Sequence, residues 1–388
     1  MQKLFDLLIE ILLLFFKNCR LKNIIVFESL PIYTDNAKYV FDELINNNVL
    51  SKYKVWWITK NNNDNITFSQ KNVKVINTGV SNPIKRLIVK IQKLYIISSA
   101  KFLISSNEFL PKINTKKQYY LNLAHGAALK DCSNHYNLPD YYDEAISMSD
   151  YLAKYDAINF NCDVEKMNVL GYPRNDLLFG RKKDIQSIFK FSNFEKSIYW
   201  MPTYRQHYNK KRAFSSIAFP IIYNESIAVE INDCAKDNNL LIIVKPHPAQ
   251  DMSRIKKLNL SNLVFIDNDF LSKNNIENYE LLCSVDAMIS DYSSVYYDYL
   301  LCDKPIGLCF DDFDEYNKNE GFTVDPNFIL AGGEKIYNTQ DMCDFIEHIA
   351  NGEDKLKDKR NEIKNLCHLY KDDKSAKRVA DYILNKIV

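Results

Sequence analysis

Short apolar runs recur along this chain, each followed by a polar loop and then a stretch with helical periodicity, and that alternation limits the folds open to it. Residues 24–27, 54–59 (KVWWIT), 73–76, 102–105 and 119–124 read as strands of a first set. Helices are expected from Asp35-Asn36 to about Asn46 and over 83–98, where Ile84, Leu87, Ile88, Ile91 and Leu94 keep helical spacing. After a break near 180–195 the pattern restarts with strands at 197–201, 241–245, 263–266, 287–289 and 305–310. A helix over 217–238 and a helical tail from about Gln340 complete this second set. Strand–helix alternation predicts a parallel sheet with helices on both faces. Two such sets predict an α/β chain of two Rossmann-like domains, 23–185 and 190–365, followed by a C-terminal helix over 366–388. Ligands of such sheets bind beyond the carboxyl ends of the strands, which places the expected site in a cleft between the domains.

A chain of 388 residues, 46% hydrophobic, suits two domains with substantial cores. A net charge of +1 offers no global polycation, so nucleic acid is not an expected partner. The nine cysteines are scattered without a CxxC pair, which reads as reduced thiols in a cytosolic protein. Residues 1–22 form a segment of their own. The stretch 4–16 is mostly apolar but carries Asp6 and Glu10, and it falls short of the roughly 20 residues that span a bilayer. Lys17, Arg20 and Lys22 follow it. Two readings stand side by side: a helix lying in the cytoplasmic face of a membrane, or an amphipathic helix packed on the protein.

Five loops after expected strands carry the chemistry. His125-Gly126 follows the strand ending at 124; an imidazole with an ordinary pKa near 6.5 suits a general base, and the glycine permits close approach of a substrate. Gly171-Tyr172-Pro173-Arg174 makes a turn in which Arg174 offers a planar donor fork for phosphate, or for an acidic side chain. Pro202-Thr203-Tyr204-Arg205 leads into the basic run 206–212 (QHYNKKR), which suits an anionic acceptor or simply a solvated loop. In Lys245-Pro246-His247-Pro248 two prolines stiffen a turn whose Lys and His can neutralise charge on a leaving phosphate. Ser293-Ser294 opens a helix expected to run to Cys302, where backbone N–H groups can face an anion, and Asp298 lies four residues on, near the hydroxyls of a ribose. There is no GxGxxG or Walker A pattern and no metal-ligand spacing. The acidic run 311–315 is read as solvated, so the expected site uses neither metal nor cofactor.

The segments AHGAALK, GYPRNDLL, MPTYR, VKPHP and SDYSSVYYDYLLCDKP stand in the order found in the CDP-glycerol glycerophosphotransferases of teichoic acid and capsule synthesis, and the chain resembles that family over roughly 24–385. The resemblance implies a GT-B fold and transfer of glycerol phosphate from CDP-glycerol to a hydroxyl of a lipid-linked or growing, anionic glycan, with release of CMP at the cytoplasmic membrane face. It implies His125 as general base, with His247 second in catalysis. Gly126, Arg174, Pro202, Thr203, Arg205, Lys245, Pro246, His247, Ser293 and Ser294 would line the donor pyrophosphate, and Asp298 would hold the ribose. The chain departs from the family's pattern at Ala124 (usually Trp), at Ala127-Ala128 (usually Thr-Pro) and at Glu320-Gly321 (often Arg-Gly). Two of these departures adjoin His125 and leave CDP-ribitol or another polyol donor open. A GT-B glycosyltransferase using a nucleotide-sugar has the same loops, and a non-catalytic polyanion-binding protein at the membrane needs only Lys85, Arg86, Lys90, Lys93 and the 206–212 loop.

Overall fold

The computed structural model describes residues 12–60, 66–107, 110–114, 117–133, 142–190, 192–203, 219–247, 250 and 257–387. These form two compact units. The first takes its residues from 1–127, 133–176 and 374–388, and the second from 128–132 and 177–373.

Among the described residues the first unit holds a seven-stranded parallel sheet in the order β3-β2-β1-β4-β5-β6-β7. Its strands are β1 (Lys22–Glu28), β2 (Lys54–Thr59), β3 (Val73–Asn77), β4 (Ala100–Ser105), β5 (Tyr119–Asn122), β6 (Glu144–Ser147) and β7 (Met167–Val169). The second unit holds β8 (Lys196–Trp200), β9 (Leu240–Val244), β10 (Leu263–Phe265), β11 (Ala287–Ser290), β12 (Ile306–Cys309) and β13 (Glu334–Ile336), ordered β10-β9-β8-β11-β12-β13. Both sheets are wound outward in both directions from a central strand, β1 and β8, which is Rossmann-like topology. Strands covered on both faces read as unbroken apolar runs. β9, LLIIV, is buried at every position, and Val26, Leu103 and Tyr120 fill the corresponding core of the first unit.

The sequence reading missed β6, β7 and β13, which at three or four residues are too short to show a period. Three further differences bear on function. The chain leaves the first unit after Asp176, not at 185. The helix Ser375–Ile387, inside the C-terminal helix expected over 366–388, belongs to the first unit and packs on the helix Asp35–Asn46. Asp176 holds its start, its two carboxylate oxygens accepting the N–H groups of Ser375 and Ala376 at 2.8 Å each. Gly171 makes room for that start, because at φ +80° a Cβ would lie 2.6 Å from Ser375 Oγ. Finally, the helix Pro83–Ser99 forms as its periodicity predicts, yet Ile84 (73% exposed) and Ile88 (59% exposed) are not core residues. Residues 1–11 lie outside the described part. Leu12–Phe16 are helical, with Leu13 and Phe16 turned to the core and Leu14 and Phe15 exposed.

Candidate active site

In the first unit the polar residues gather where the sheet reverses its winding, beyond the carboxyl ends of β1, β4 and β5. His125 lies just past β5 with its side chain 67% exposed. Asp35 follows β1 at the start of its helix with its side chain only 7% exposed. Asp35 Oδ2 contacts His125 Nδ1, and Asp35 Oδ1 accepts from Arg174 Nη1 at 2.9 Å and from the Asn36 N–H at 2.8 Å. Burial alone raises the Asp35 carboxyl, but the charges of Arg174 and His125 outweigh it and hold the group at about 2. The sign follows: this carboxylate stabilises the fold above its ordinary pKa near 3.8, and the contribution is lost as pH falls through about 2.

Asn36 is fully buried and staples three segments of this site. Its amide donates to the carbonyls of Leu123 (2.8 Å) and Ala124 (3.1 Å), and its Oδ1 accepts the Arg174 N–H at 3.1 Å. Asn36→Ala would leave two carbonyls and one N–H buried without partners, so we expect it to lower stability by about 2–4 kcal/mol. Urea unfolding followed by tryptophan fluorescence checks this; an unchanged midpoint would refute it.

In the second unit the candidates lie beyond β8, β9 and β11, again at the reversal point. Thr203 follows β8 and is fixed by Asp291, which is fully buried past β11. The Asp291 carboxylate accepts the Thr203 N–H at 2.9 Å and its hydroxyl at 2.5 Å. Met201 N–H bonds to Ile289 O and Lys245 N–H to Trp200 O, both at 2.9 Å, so the three loop starts are tied to one another. Lys245 is half-buried, and burial pulls its ammonium below the ordinary lysine range, against the opposing charge of Asp267. His247 is exposed; Gly126, Pro202, Pro246, Ser293 and Ser294 are half-buried.

Several expectations change. Arg174 is buried, and its Nη1 donates to Asp35 and to the His125 carbonyl, so the structure shows it bound to a carboxylate. Asp298 is fully buried and accepts the Tyr279 hydroxyl at 2.5 Å, which ties two helices together. The helix after the serines is only Val295–Leu300, so it contributes little macrodipole. The acidic run is not merely solvated: Asp311 accepts from Tyr223 (2.5 Å) and Asp312 from Tyr292 (3.0 Å). Arg205 and the 206–212 run lie outside the described residues. Sequence reasoning missed Asp35, Asn36 and Asp291 as residues of these two clusters, although Asp35-Asn36 was visible as a helix start.

The teichoic acid poly(ribitol-phosphate) polymerase of Bacillus spizizenii is 26% identical to the chain over 260 residues, 65% of this chain and 38% of that protein. The teichoic acid poly(glycerol phosphate) polymerase of Staphylococcus epidermidis is 25% identical over 338 residues, 79% of this chain and 43% of that protein. The chain thus spans about two fifths of those relatives. A teichoic acid poly(glycerol phosphate) polymerase of Bacillus spizizenii matches at 25% identity over 94% of this chain and 93% of its own length. Solved structures of the wall teichoic acid polymerase TagF, one soaked with CDPG, share the fold; a variant superposes at TM-score 0.72 and 21% identity over 94% of this chain and 89% of that one. A putative UDP-N-acetylglucosamine 2-epimerase from Listeria monocytogenes shares it more distantly, at TM-score 0.56 and 10% identity over 94% and 97%. The model of one family runs through residues 12–385, nearly the whole chain, and the chain belongs to that family, CDP-Glycerol:Poly(glycerophosphate) glycerophosphotransferase.

Proposed function

We propose that the chain transfers glycerol phosphate from CDP-glycerol to a hydroxyl of a lipid-linked or growing cell-surface polymer, teichoic acid or capsule, and releases CMP. The observation that carries this reading is an exposed imidazole backed by a buried, ionised carboxylate in a chain of this family. His125 takes the proton of the acceptor hydroxyl as its oxygen attacks the β-phosphorus. The bond between that phosphorus and the bridging oxygen breaks, and CMP leaves with the bond's electrons. Lys245 and His247 meet the charge developing on the leaving phosphate, helped by Thr203 on its Asp291 anchor. In this account the first unit activates the acceptor and the second grips the donor, as in a GT-B enzyme. Transfer of label from glycerol-labelled CDP-glycerol into a polymer or lipid-linked product tests it; label left wholly in the donor while another nucleotide-activated group is consumed would refute the donor.

The ribitol reading keeps one specific support, the presence of two ribitol-phosphate polymerases among the relatives. Competition between CDP-glycerol and CDP-ribitol separates the two.

We further infer that the first unit lies on the cytoplasmic membrane face. Leu14, Phe15, Ile84 and Ile88 are exposed on two helices whose neighbouring Phe16 and Tyr95 rings sit 6.0 Å apart. Lys17, Arg20, Lys85, Arg86 and Lys90 are exposed on the same two segments. Apolar tips among cations suit the interface of an anionic bilayer. No helix among the described residues is long and apolar enough to cross a membrane. The double variant Phe15→Ser/Ile84→Ser is expected to weaken sedimentation with anionic vesicles at least about tenfold; unchanged sedimentation would refute this surface.

A further inference from the structure

His125 Nδ1 has two neighbours that cannot both be satisfied. The Asp35 carboxylate contacts it, and the Asn107 side-chain amide lies 2.8 Å away. The Asn107 amide is oriented by its other end, because its Oδ1 accepts the Leu30 N–H at 2.9 Å and its NH₂ therefore faces the ring. If Nδ1 is protonated it donates to Asp35 and Asn107 gains nothing from it. If Nδ1 is bare it accepts from Asn107 and turns a lone pair on the carboxylate. A hydrogen bond to an ionised acceptor is roughly twice as strong as a neutral one, so the carboxylate decides.

We propose that Asp35 is a positioning residue that holds His125 in its Nδ1–H tautomer and leaves Nε2 as the basic nitrogen, with Arg174 fixing the carboxylate against the ring. This rests on the reading of His125 as the general base. Three observations support it. Both Asp35 oxygens are engaged, one by His125 and the other by Arg174 and the Asn36 N–H, which fixes the carboxylate's direction. Arg174 also donates to the His125 carbonyl, so one guanidinium aligns both partners. The backbone is bent to make the contact: Asp35 (φ +55°) and Ala124 (φ +54°), which immediately precedes His125, both take the left-handed conformation. Non-glycine residues hold that conformation where the surroundings over-determine it, often at functional sites. Here the Asn36 amide supplies the constraint by gripping Leu123 and Ala124.

The test reads the tautomer directly. In protein labelled with ¹⁵N-histidine at neutral pH, long-range proton–nitrogen correlation separates a protonated ring nitrogen from a bare one. His125→Gln identifies the His125 signal among the chain's six histidines. The expected wild-type pattern is Nδ1 protonated and Nε2 bare. Asp35→Asn is expected to move the proton to Nε2 and to lower kcat at least about a hundredfold, with the donor KM within about twofold. Asn107→Ala is expected to leave the tautomer as in the wild type. A wild-type signal with Nε2 protonated overturns the proposal, as does an Asp35→Asn protein with wild-type tautomer and kcat. If Asp35→Asn fails to fold, the wild-type spectrum alone decides. Because that spectrum needs no donor, a protonated Nδ1 supports the tautomer lock even if CDP-glycerol is not turned over. Nε2–H overturns it even if the donor is consumed.

Discussion

We expect His125→Ala to lower the rate of CMP release from CDP-glycerol by at least about a hundredfold, the usual scale of a lost general base. The ring is two-thirds exposed, and the buried Asp35 that it touches keeps Arg174 as a partner, so the variant is expected to fold with only a modest loss of stability. Donor affinity should change little, because in this account the donor is gripped by the second unit. The loss therefore falls on kcat, as expected for an interaction made only in the transition state. Steady-state kinetics with saturating CDP-glycerol check it. Near-normal turnover in a folded His125→Ala protein would remove His125 from the chemistry.

Lys245→Met is expected to produce the second large effect, a loss of about a hundred- to a thousandfold in kcat, the range for deleting one well-placed donor to a developing anion. The side chain is half-buried beyond β9, and its ammonium is partly desolvated. A charge in such a place acts more strongly on a phosphate than one in bulk water. Methionine keeps the volume of the stem, which separates loss of charge from loss of packing. Comparing kcat of Lys245→Met with that of a conservative surface control such as Lys377→Met measures the effect. A Lys245→Met enzyme within threefold of wild type would place the leaving-group charge elsewhere.

The central strands were legible because β1, β2, β8, β9 and β11 are apolar runs bounded by polar loops. The short strands β6, β7 and β13 were not, because pairing with a neighbour, more than their own residues, makes them strands. His125, Thr203 and Lys245 were legible as polar groups at the ends of strands. Asp35 was not, since 90 residues separate it from His125 and only the sheet order brings β1 and β5 onto either side of β4. Arg174 shows a chemical ambiguity: a guanidinium fits carboxylate and phosphate equally well, and its contact with the buried Asp35 could not be read from the sequence. Asp298 shows a geometric one. Helical spacing places it on the face of Ser294, but that short helix is buried all round, so Asp298 also holds the Tyr279 hydroxyl inside the unit. The apolar stripe over 83–99 identified a helix correctly, but part of that stripe remains at the surface.

The most direct test of the whole account is acceptor-dependent nucleotide release by the purified protein, given CDP-glycerol and a detergent-solubilised lipid-linked acceptor, with His125→Ala alongside. The account predicts CMP from the wild type, matched mole for mole by glycerol phosphate in the acceptor, and at least about a hundredfold less from the variant. Equal CMP from both proteins, or release of nucleotide only when CDP-glycerol is replaced by a nucleotide-sugar, would contradict it.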